Sequence, residues 1–204
     1  MSAEATGGVL FVITGTSGSG KDSVIDGLRA RGEKLSMVVT AVTRRPRPTE
    51  RDGVNHHFVT KSQFQRWKDE GKLLEWAEVY GRFYGTPRWE VEEPLARGED
   101  VMLRVDVQGA AAVRAQMPRA VLIFIAAPSL EESRRRVGGR NVETAAELEA
   151  RFAKFELEMS FSRECDYVVI NETDQLERTI DRVQAAMREA RAARRGAARS
   201  GSVR

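Results

Sequence analysis

The sequence lacks several features that would assign a protein to a structural class at once. Its single cysteine, Cys165, excludes a disulfide within the chain. No run of apolar residues approaches the length of a membrane span. Residues 1–8 contain neither a basic start nor an apolar stretch, so no signal peptide is recognisable. We therefore expect a cytoplasmic protein with no membrane partner and with residues 1–8 as a flexible N-terminus.

Excess charge is also scarce outside the C-terminus. The 204 residues carry a net charge of +3. Residues 188–204 contain six arginines and one glutamate, a net charge of +5, which leaves −2 for the preceding residues. The main body is therefore not a basic nucleic-acid-binding domain. Residues 191–204 are predicted to form a basic flexible tail, with binding to RNA or anionic lipid as the alternative.

The most informative stretch lies near the N-terminus. Residues 9–13 are all apolar and predict a buried strand. Residues 15–21 then have the spacing G-x-x-x-x-G-K of a phosphate-binding loop, in which glycines bring backbone N–H groups against phosphate oxygens. Lys21 is a mobile cation that can reach the β- and γ-phosphates of ATP. The residues predicted to bind ATP are Gly15, Thr16, Ser17, Gly18, Ser19, Gly20, Lys21, Asp22 and Ser23.

One position departs from the phosphate-loop pattern. The residue after the lysine is normally Ser or Thr, whose hydroxyl binds Mg²⁺, whereas this chain has Asp22 followed by Ser23. A carboxylate is also a good oxygen ligand for Mg²⁺, so the sequence leaves open whether Asp22 or Ser23 contacts the metal. A plain Gly/Ser-rich turn between a strand and a helix is the alternative to a phosphate site.

Apolar strands alternate with amphipathic helices over most of the chain. Strands are predicted at 101–106, 121–125 and 167–170, and helices at 21–31, 108–117, 130–137, 144–161 and 176–195. This alternation predicts an α/β fold, a parallel sheet with helices on both faces. Residues 40–86 interrupt it and predict an inserted lobe between core segments 9–39 and 87–190, the second of which includes a lid at about 136–155.

The interrupting segment has its own pattern. Short strands are predicted around 37–40 and 54–59, a helix at 61–71 and a strand at 73–79. Residues 80–87 contain two glycines and a proline and are interpreted as a turn. Pro87 is expected to open a helix that reaches residue 96, and Pro94 is expected to break or kink it.

Two arginines stand on a proline-stiffened loop within this lobe. Arg44 and Arg47 flank Pro46, and two fixed guanidinium groups suit a phosphate that must be held while it reacts. A solvated surface loop is the alternative.

Five sequence blocks, in register, resemble the guanylate kinase family of phosphate-loop kinases. The arginine loop has Thr43-Arg44-x-x-Arg47-x-x-Glu50-x-x-Gly53, with Thr49 where the family pattern has glycine. The other four blocks are Leu74-Glu75-Trp76-Ala77 with Tyr84-Gly85-Thr86, residues 105–110, residues 124–129 with Arg136, Arg140 and Arg151, and residues 169–171. The similarity runs in order from about Val9 to Ile180.

This resemblance implies an activity and a set of site residues. The reaction would be ATP + GMP → ADP + GDP with Mg²⁺, and ATP and GMP would be the partners of the protein. Glu75 would accept hydrogen bonds from guanine. The residues that would bind GMP are Thr40, Arg44, Arg47, His56, Glu75, Tyr84, Thr86 and Asp106. The residues that would act in catalysis are Lys21, Arg44, Arg136, Arg140 and Arg151.

Several alternatives stay open at this stage. His56 stands where the family usually has tyrosine, and Asp106 is either a carboxylate that supports Mg²⁺ or a helix cap. Without the resemblance, Glu75 would be interpreted as an exposed strand residue and Tyr84 as a turn residue. Kinases that act on ribose 1,5-bisphosphate share the Gly-Lys-Asp-Ser run, and a non-catalytic binding module of the same fold is a further alternative. The sequence does not define an oligomeric state.

Overall fold

The computed structural model describes residues 7–79, 81–138 and 153–200. The strands are β1 (Leu10–Gly15), β2 (Ser36–Met37), β3 (Ala41–Val42), β4 (His57–Phe58), β5 (Leu73–Val79), β6 (Arg82–Pro87), β7 (Val101–Arg104), β8 (Val121–Ala126) and β9 (Tyr167–Ile170). The helices are α1 (Lys21–Ala30), α2 (Lys61–Asp69), α3 (Arg88–Ala96), α4 (Val107–Gln116), α5 (Leu130–Gly138), α6 (Phe155–Phe161) and α7 (Leu176–Ser200). The chain divides into two compact units: the first comprises residues 1–10, 35–103 and 111–120, and the second comprises 11–34, 104–110 and 121–204.

The second unit is built around parallel strands. Strand β8 pairs in parallel with β1 on one side and with β9 on the other. Every residue of β1 is buried, which is typical of a parallel strand covered on both faces. Helix α1 buries Val24, Ile25 and Leu28, the apolar face that the sequence predicts. The continuous apolar runs therefore fold as central strands.

The first unit contains a four-stranded sheet with the order β4-β3-β6-β5. Strand β6 is antiparallel to both β3 and β5, and β4 is parallel to β3. A small core of Ala41, Phe64 and Leu73 lies beneath this sheet, where Phe64 anchors helix α2. Strands β2 and β7 pair in parallel and do not belong to this four-stranded sheet. The extra strands predicted for residues 40–86 therefore form a sheet of their own.

Some predicted elements were wrong. Residues 82–87 form a strand rather than a turn, because they pair with strands on both sides and bury Gly85 and Thr86. Pro94 lies inside a continuous helix α3, where its burial beside Val91 offsets the missing backbone hydrogen bond. The strand predicted at 54–59 is limited to His57–Phe58. Of the strand predicted around 37–40, only Met37 lies in a strand, β2, and β3 begins at Ala41.

The remaining differences concern the C-terminal half. Helix α7 continues five residues beyond the predicted end at 195, into the segment assigned to a flexible tail. In that segment Arg191 donates to Glu33 Oε2 at 2.9 Å. The predicted helix 144–161 lies partly outside the described residues, and its described part is helical at Phe155–Phe161. None of the helices in the described ranges combines the length and apolar character that crossing a membrane requires.

Candidate active site

The phosphate-loop residues form a tight turn between β1 and α1 in the second unit. Gly15 and Gly20 have φ angles of 137° and 85°, in the region that other residues rarely adopt. A Cβ atom at Gly20 would stand 2.6 Å from Nδ2 of Asn171. This glycine is therefore required both by the backbone conformation and by the close approach of Asn171.

The loop is fixed from outside by three neighbouring segments. Asn171, after β9, donates to the Ser19 carbonyl at 2.9 Å. The amide of Ala127, after β8, donates to the Thr16 hydroxyl at 3.1 Å, and Ser133 of α5 donates to the Ser17 carbonyl. The sequence motif contains no signal for Ser133 or Ala127, and Asn171 ends the sequence block 169–171, for which the sequence predicts no role. These bonds hold the loop in the conformation that the structure shows.

Lys21 lies folded over the same loop. Its Nζ donates to the carbonyls of Gly15 and Thr16 at 2.9 and 2.8 Å.

The amide of Ser17 donates to Oε2 of Glu158, on α6, at 3.0 Å. A carboxylate therefore already occupies one of the amide donors of the loop, which demonstrates that this backbone attracts anionic oxygens.

Arg136 lies in an open cleft beside the loop. Its Nε donates to Glu132 at 2.7 Å and its Nη2 to the Asn171 carbonyl at 3.0 Å. Its buried Nη1 has no hydrogen-bond partner among the described residues. Arg135 and then Arg136 lower the pKa of Glu132 to about 2. The guanidinium group is thus held through Nε and Nη2, and its Nη1 is buried without a partner in this conformation.

The cleft itself has a volume of about 270 Å³ and is lined in part by Gly18, Gly20 and Ser23. Asp22 is turned to a different partner, since its Oδ1 lies 3.0 Å from Nη1 of Arg104. The described residues contain no group of three or more His, Cys, Asp or Glu side chains that could hold a metal ion.

Asp106 is placed as a helix cap. Its Oδ1 accepts a hydrogen bond from the amide of Gly109 at 2.8 Å, which is the N-cap arrangement for helix α4. The capping alternative is thus correct for one carboxylate oxygen, and Oδ2 is left for any further role.

Glu75 and Thr86 form a buried pair in the first unit. They face each other across β5 and β6, and the Thr86 hydroxyl donates to Glu75 Oε1 at 2.5 Å. Glu75 is 9% exposed and Thr86 is fully buried. The interpretation of Glu75 as an exposed strand residue was wrong, because the neighbouring strand β6 was not predicted. A buried carboxylate needs hydrogen-bond donors, and Thr86 supplies one of them.

Arg44 is clamped by Glu50 on the arginine loop. Its Nη1 and Nη2 donate to the two carboxylate oxygens at 2.5 and 2.6 Å, and the Arg47 amide donates to the same carboxylate at 2.8 Å. Arg44 lowers the pKa of Glu50 to about 2, with a smaller contribution from the Arg47 amide. The pKa of Arg44 is raised, first by Glu50 and also by a hydrogen bond with Tyr84. Both side chains of the pair are largely buried.

Thr40 and His56 also lie together in this unit. The Thr40 hydroxyl and His56 Nδ1 are 2.9 Å apart. The neighbouring His57 bonds instead to Glu90 at 2.8 Å. The first unit therefore holds seven of the predicted residues, which are Thr40, Arg44, Arg47, His56, Glu75, Tyr84 and Thr86. Arg140 and Arg151 lie outside the described residues.

Comparisons with known proteins show the family to which the chain is similar. The family model described as "Guanylate kinase" matches residues 8–190. A guanylate kinase of Alkalilimnicola ehrlichii is 43% identical over 178 residues, which are 87% of each chain. That of Symbiobacterium thermophilum is 41% identical over 193 residues, which are 94% of this chain and 90% of the relative.

A solved structure gives the same assignment. The crystal structure of guanylate kinase from Anaplasma phagocytophilum superposes with a TM-score of 0.70 at 30% identity, and the match covers 92% of this chain and 88% of that one. The resemblance seen in the five sequence blocks is therefore confirmed, and the chain belongs to the guanylate kinase family.

Proposed function

We propose that the chain transfers the γ-phosphoryl group of ATP to GMP in a Mg²⁺-dependent reaction that yields ADP and GDP. Family membership makes the chain an enzyme of the guanylate kinase type. The observation that carries the proposal for GMP is the buried pair of Glu75 and Thr86, because a carboxylate in that position can read a base.

The base preference follows from hydrogen-bond chemistry. Guanine presents two neighbouring donors, N1–H and the 2-amino group, and a carboxylate accepts from both. Adenine presents an acceptor at N1 and has no 2-amino group, so the same carboxylate would face a lone pair. Thr86 holds one oxygen of Glu75 by its hydroxyl, and this fixes the plane of the carboxylate. An unsatisfied or mismatched polar group in a buried site discriminates strongly.

The acceptor phosphate has its own cationic group. Arg44 is held by Glu50 and bonds to Tyr84, so its position is set before a ligand arrives. Arg47 is anchored at its backbone by the same carboxylate and has an exposed side chain. Arg44, Arg47 and Tyr84 would hold the GMP phosphate, and His56 would replace the usual tyrosine as a further donor, next to Thr40.

The donor nucleotide would bind at the phosphate loop. The loop amides and the start of α1 suit the β- and γ-phosphates, and Lys21 would exchange its contacts with the loop carbonyls for phosphate oxygens. Arg136 lines the cleft beside the loop and would neutralise the same charge, and its buried, unpartnered Nη1 would have to turn towards the phosphates to donate to them. The roles of Arg140 and Arg151 stay predictions.

Mg²⁺ fits this site through a small number of protein oxygens. Ser23 lines the cleft beside the loop, whereas Asp22 is paired with Arg104, so we assign the metal contact to Ser23. Asp106 has one carboxylate oxygen left by its capping bond and would support the metal through it. When bound, Mg²⁺ neutralises charge on the transferred phosphoryl group.

The chemical step needs little acid–base help. An oxygen of the GMP phosphate attacks the γ-phosphorus, the bond to the ADP oxygen breaks in line with it, and no covalent enzyme intermediate forms. Because the attacking oxygen is already anionic, no general base is required. Catalysis then consists of positioning and charge neutralisation by Lys21, Arg44 and Arg136.

The test is an acceptor panel with purified protein, ATP and Mg²⁺. GMP, AMP and ribose 1,5-bisphosphate are compared as acceptors, and ADP formation is followed with each. We expect turnover with GMP and at most about one-hundredth of that rate with AMP. Consumption of ribose 1,5-bisphosphate in place of GMP would reject the proposal. ATP binding without turnover of any acceptor would instead indicate a non-catalytic binding module.

A further inference from the structure

Asp22 places a negative charge beside the phosphate loop, at a position where the usual motif has a neutral side chain. It is the second residue of α1 and follows Lys21, where the general pattern provides a neutral hydroxyl. A carboxylate in the first turn of a helix is favourable for the helix dipole. The same carboxylate repels the phosphates that the loop and the helix N-terminus attract.

Arg104 forms an ion pair with this carboxylate. Its Nη1 lies 3.0 Å from Oδ1 and 3.3 Å from Oδ2 of Asp22, so one guanidinium nitrogen contacts both carboxylate oxygens. Arg104 is the last residue of β7 and is 82 residues away in the sequence. The side chain therefore reaches the loop from an element that is not part of the motif. Both side chains are about half exposed, so the pair contributes little to folding stability.

We propose that Arg104 is a positioning residue for nucleotide binding, which cancels the charge of Asp22 beside the phosphate loop. Together the two side chains take the place of the neutral hydroxyl in the general pattern. Arg104 also holds the carboxylate away from the cleft, where Ser23 is left as the metal ligand. This inference rests on the proposed binding of a nucleotide at the loop.

A double-mutant cycle tests the pairing. Binding of ADP is measured by titration calorimetry for the wild type, Arg104→Ala, Asp22→Ser and the double variant, with EDTA present so that no metal masks the charge. We expect Arg104→Ala to bind ADP about tenfold more weakly, because one uncancelled charge then lies near the diphosphate. The double variant should return to within about twofold of the wild type, since the repelling group is also gone.

Two further measurements separate a charge effect from damage to the fold. With excess Mg²⁺, the deficit of Arg104→Ala should fall below about threefold, because the divalent cation offsets the uncovered carboxylate. Arg29→Ala removes a charge from the same helix, where Arg29 faces Asp26 at 4.0 Å, and should leave ADP affinity within about twofold. Thermal unfolding of each variant without ligand confirms that the fold is retained.

The inference fails on any of three results. Arg104→Ala could bind ADP as the wild type does, the double variant could stay as weak as Arg104→Ala, or the deficit could be the same with and without Mg²⁺. These results are distinct from a failure of the proposed function, because the acceptor panel uses the wild type alone. A wild type that does not bind ADP at all would reject the phosphate site itself, and with it both proposals.

Discussion

The sharpest test of base recognition is the substitution Glu75→Gln. Glutamine has nearly the same shape, and its amide oxygen can still accept the hydrogen bond from Thr86, so we expect the fold to be kept. The change removes the negative charge and turns one acceptor into a donor. One N–H group of guanine would then face the amide N–H of the glutamine, so that two donors meet. The site is buried, since Glu75 is 9% exposed in the wild type.

The magnitude follows from the hydrogen bonds that are lost. Hydrogen bonds to a charged group contribute about 1.5–3 kcal/mol, and an unmatched buried donor adds to the loss. A cost of about 2–3 kcal/mol lowers kcat/KM for GMP by roughly 30- to 160-fold. The KM for ATP should change by less than about twofold, because Glu75 is proposed to contact the base of GMP and not ATP.

The assay is steady-state ADP formation with GMP or IMP as the varied acceptor. IMP retains N1–H and lacks the 2-amino group, so Glu75→Gln should cost less with IMP than with GMP. The matched control is Glu78→Gln, an exposed glutamate on the same strand, which should be neutral with both acceptors. Equal kcat/KM for GMP in the wild type and in Glu75→Gln would refute the base-reading role.

Three more predictions concern the other features of the site. Glu50→Gln should raise the KM for GMP about tenfold, because Arg44 loses the carboxylate that holds both of its Nη atoms. The KM for ATP should stay within about twofold, and equal changes in both KM values would contradict this. Gly20→Ala should abolish ATP binding measured by calorimetry, since the new Cβ would collide with Asn171. The control is Gly32→Ala, because Gly32 has a similar positive φ and open space around it, and this variant should bind ATP normally. The pKa of Glu50 is lowered from 4.5 to about 2 by Arg44, so its stabilisation is complete above pH 4.5 and is lost as the pH falls towards 2. The urea midpoint of the wild type should therefore fall more steeply between pH 5 and 3 than that of Glu50→Gln, and parallel curves would show that the ion pair is not formed.

The features that the sequence predicts well are those with a local physical cause. The phosphate loop was predicted because glycines and a lysine at that spacing have few other uses. Strand β1 and the buried face of α1 follow from a continuous apolar run and a helical repeat, respectively. The predicted α/β fold with a parallel sheet is confirmed. It depends on the alternation of strands and helices along the chain and not on the exact ends of the elements.

The features that the sequence does not predict depend on contacts between residues that are far apart in the sequence. Strand β6 contains Gly85 and Pro87, which are common in turns, and it is a strand because β3 and β5 pair with it from both sides. Pro94 is tolerated in α3 because tertiary packing outweighs helix propensity. The sequence also does not predict the hydrogen bonds of Asn171 and Ser133 to the phosphate loop. These bonds join residues that are 152 and 116 positions apart in the sequence, respectively.

Two of the proposed site residues, Glu75 and Arg44, are each bonded to a supporting side chain, and this changes how their substitutions should be interpreted. Glu75 depends on Thr86 for its orientation and Arg44 depends on Glu50, and each member of a pair would bind differently without the other. Single substitutions therefore measure the loss of a pair rather than of one side chain, and the effects of changing both members should not add. Sequence motifs identify the member that faces the ligand, because its chemistry is fixed by the substrate. Thr86 and Glu50 also lie in the sequence blocks, but their bonds to Glu75 and Arg44 are visible only in the folded chain.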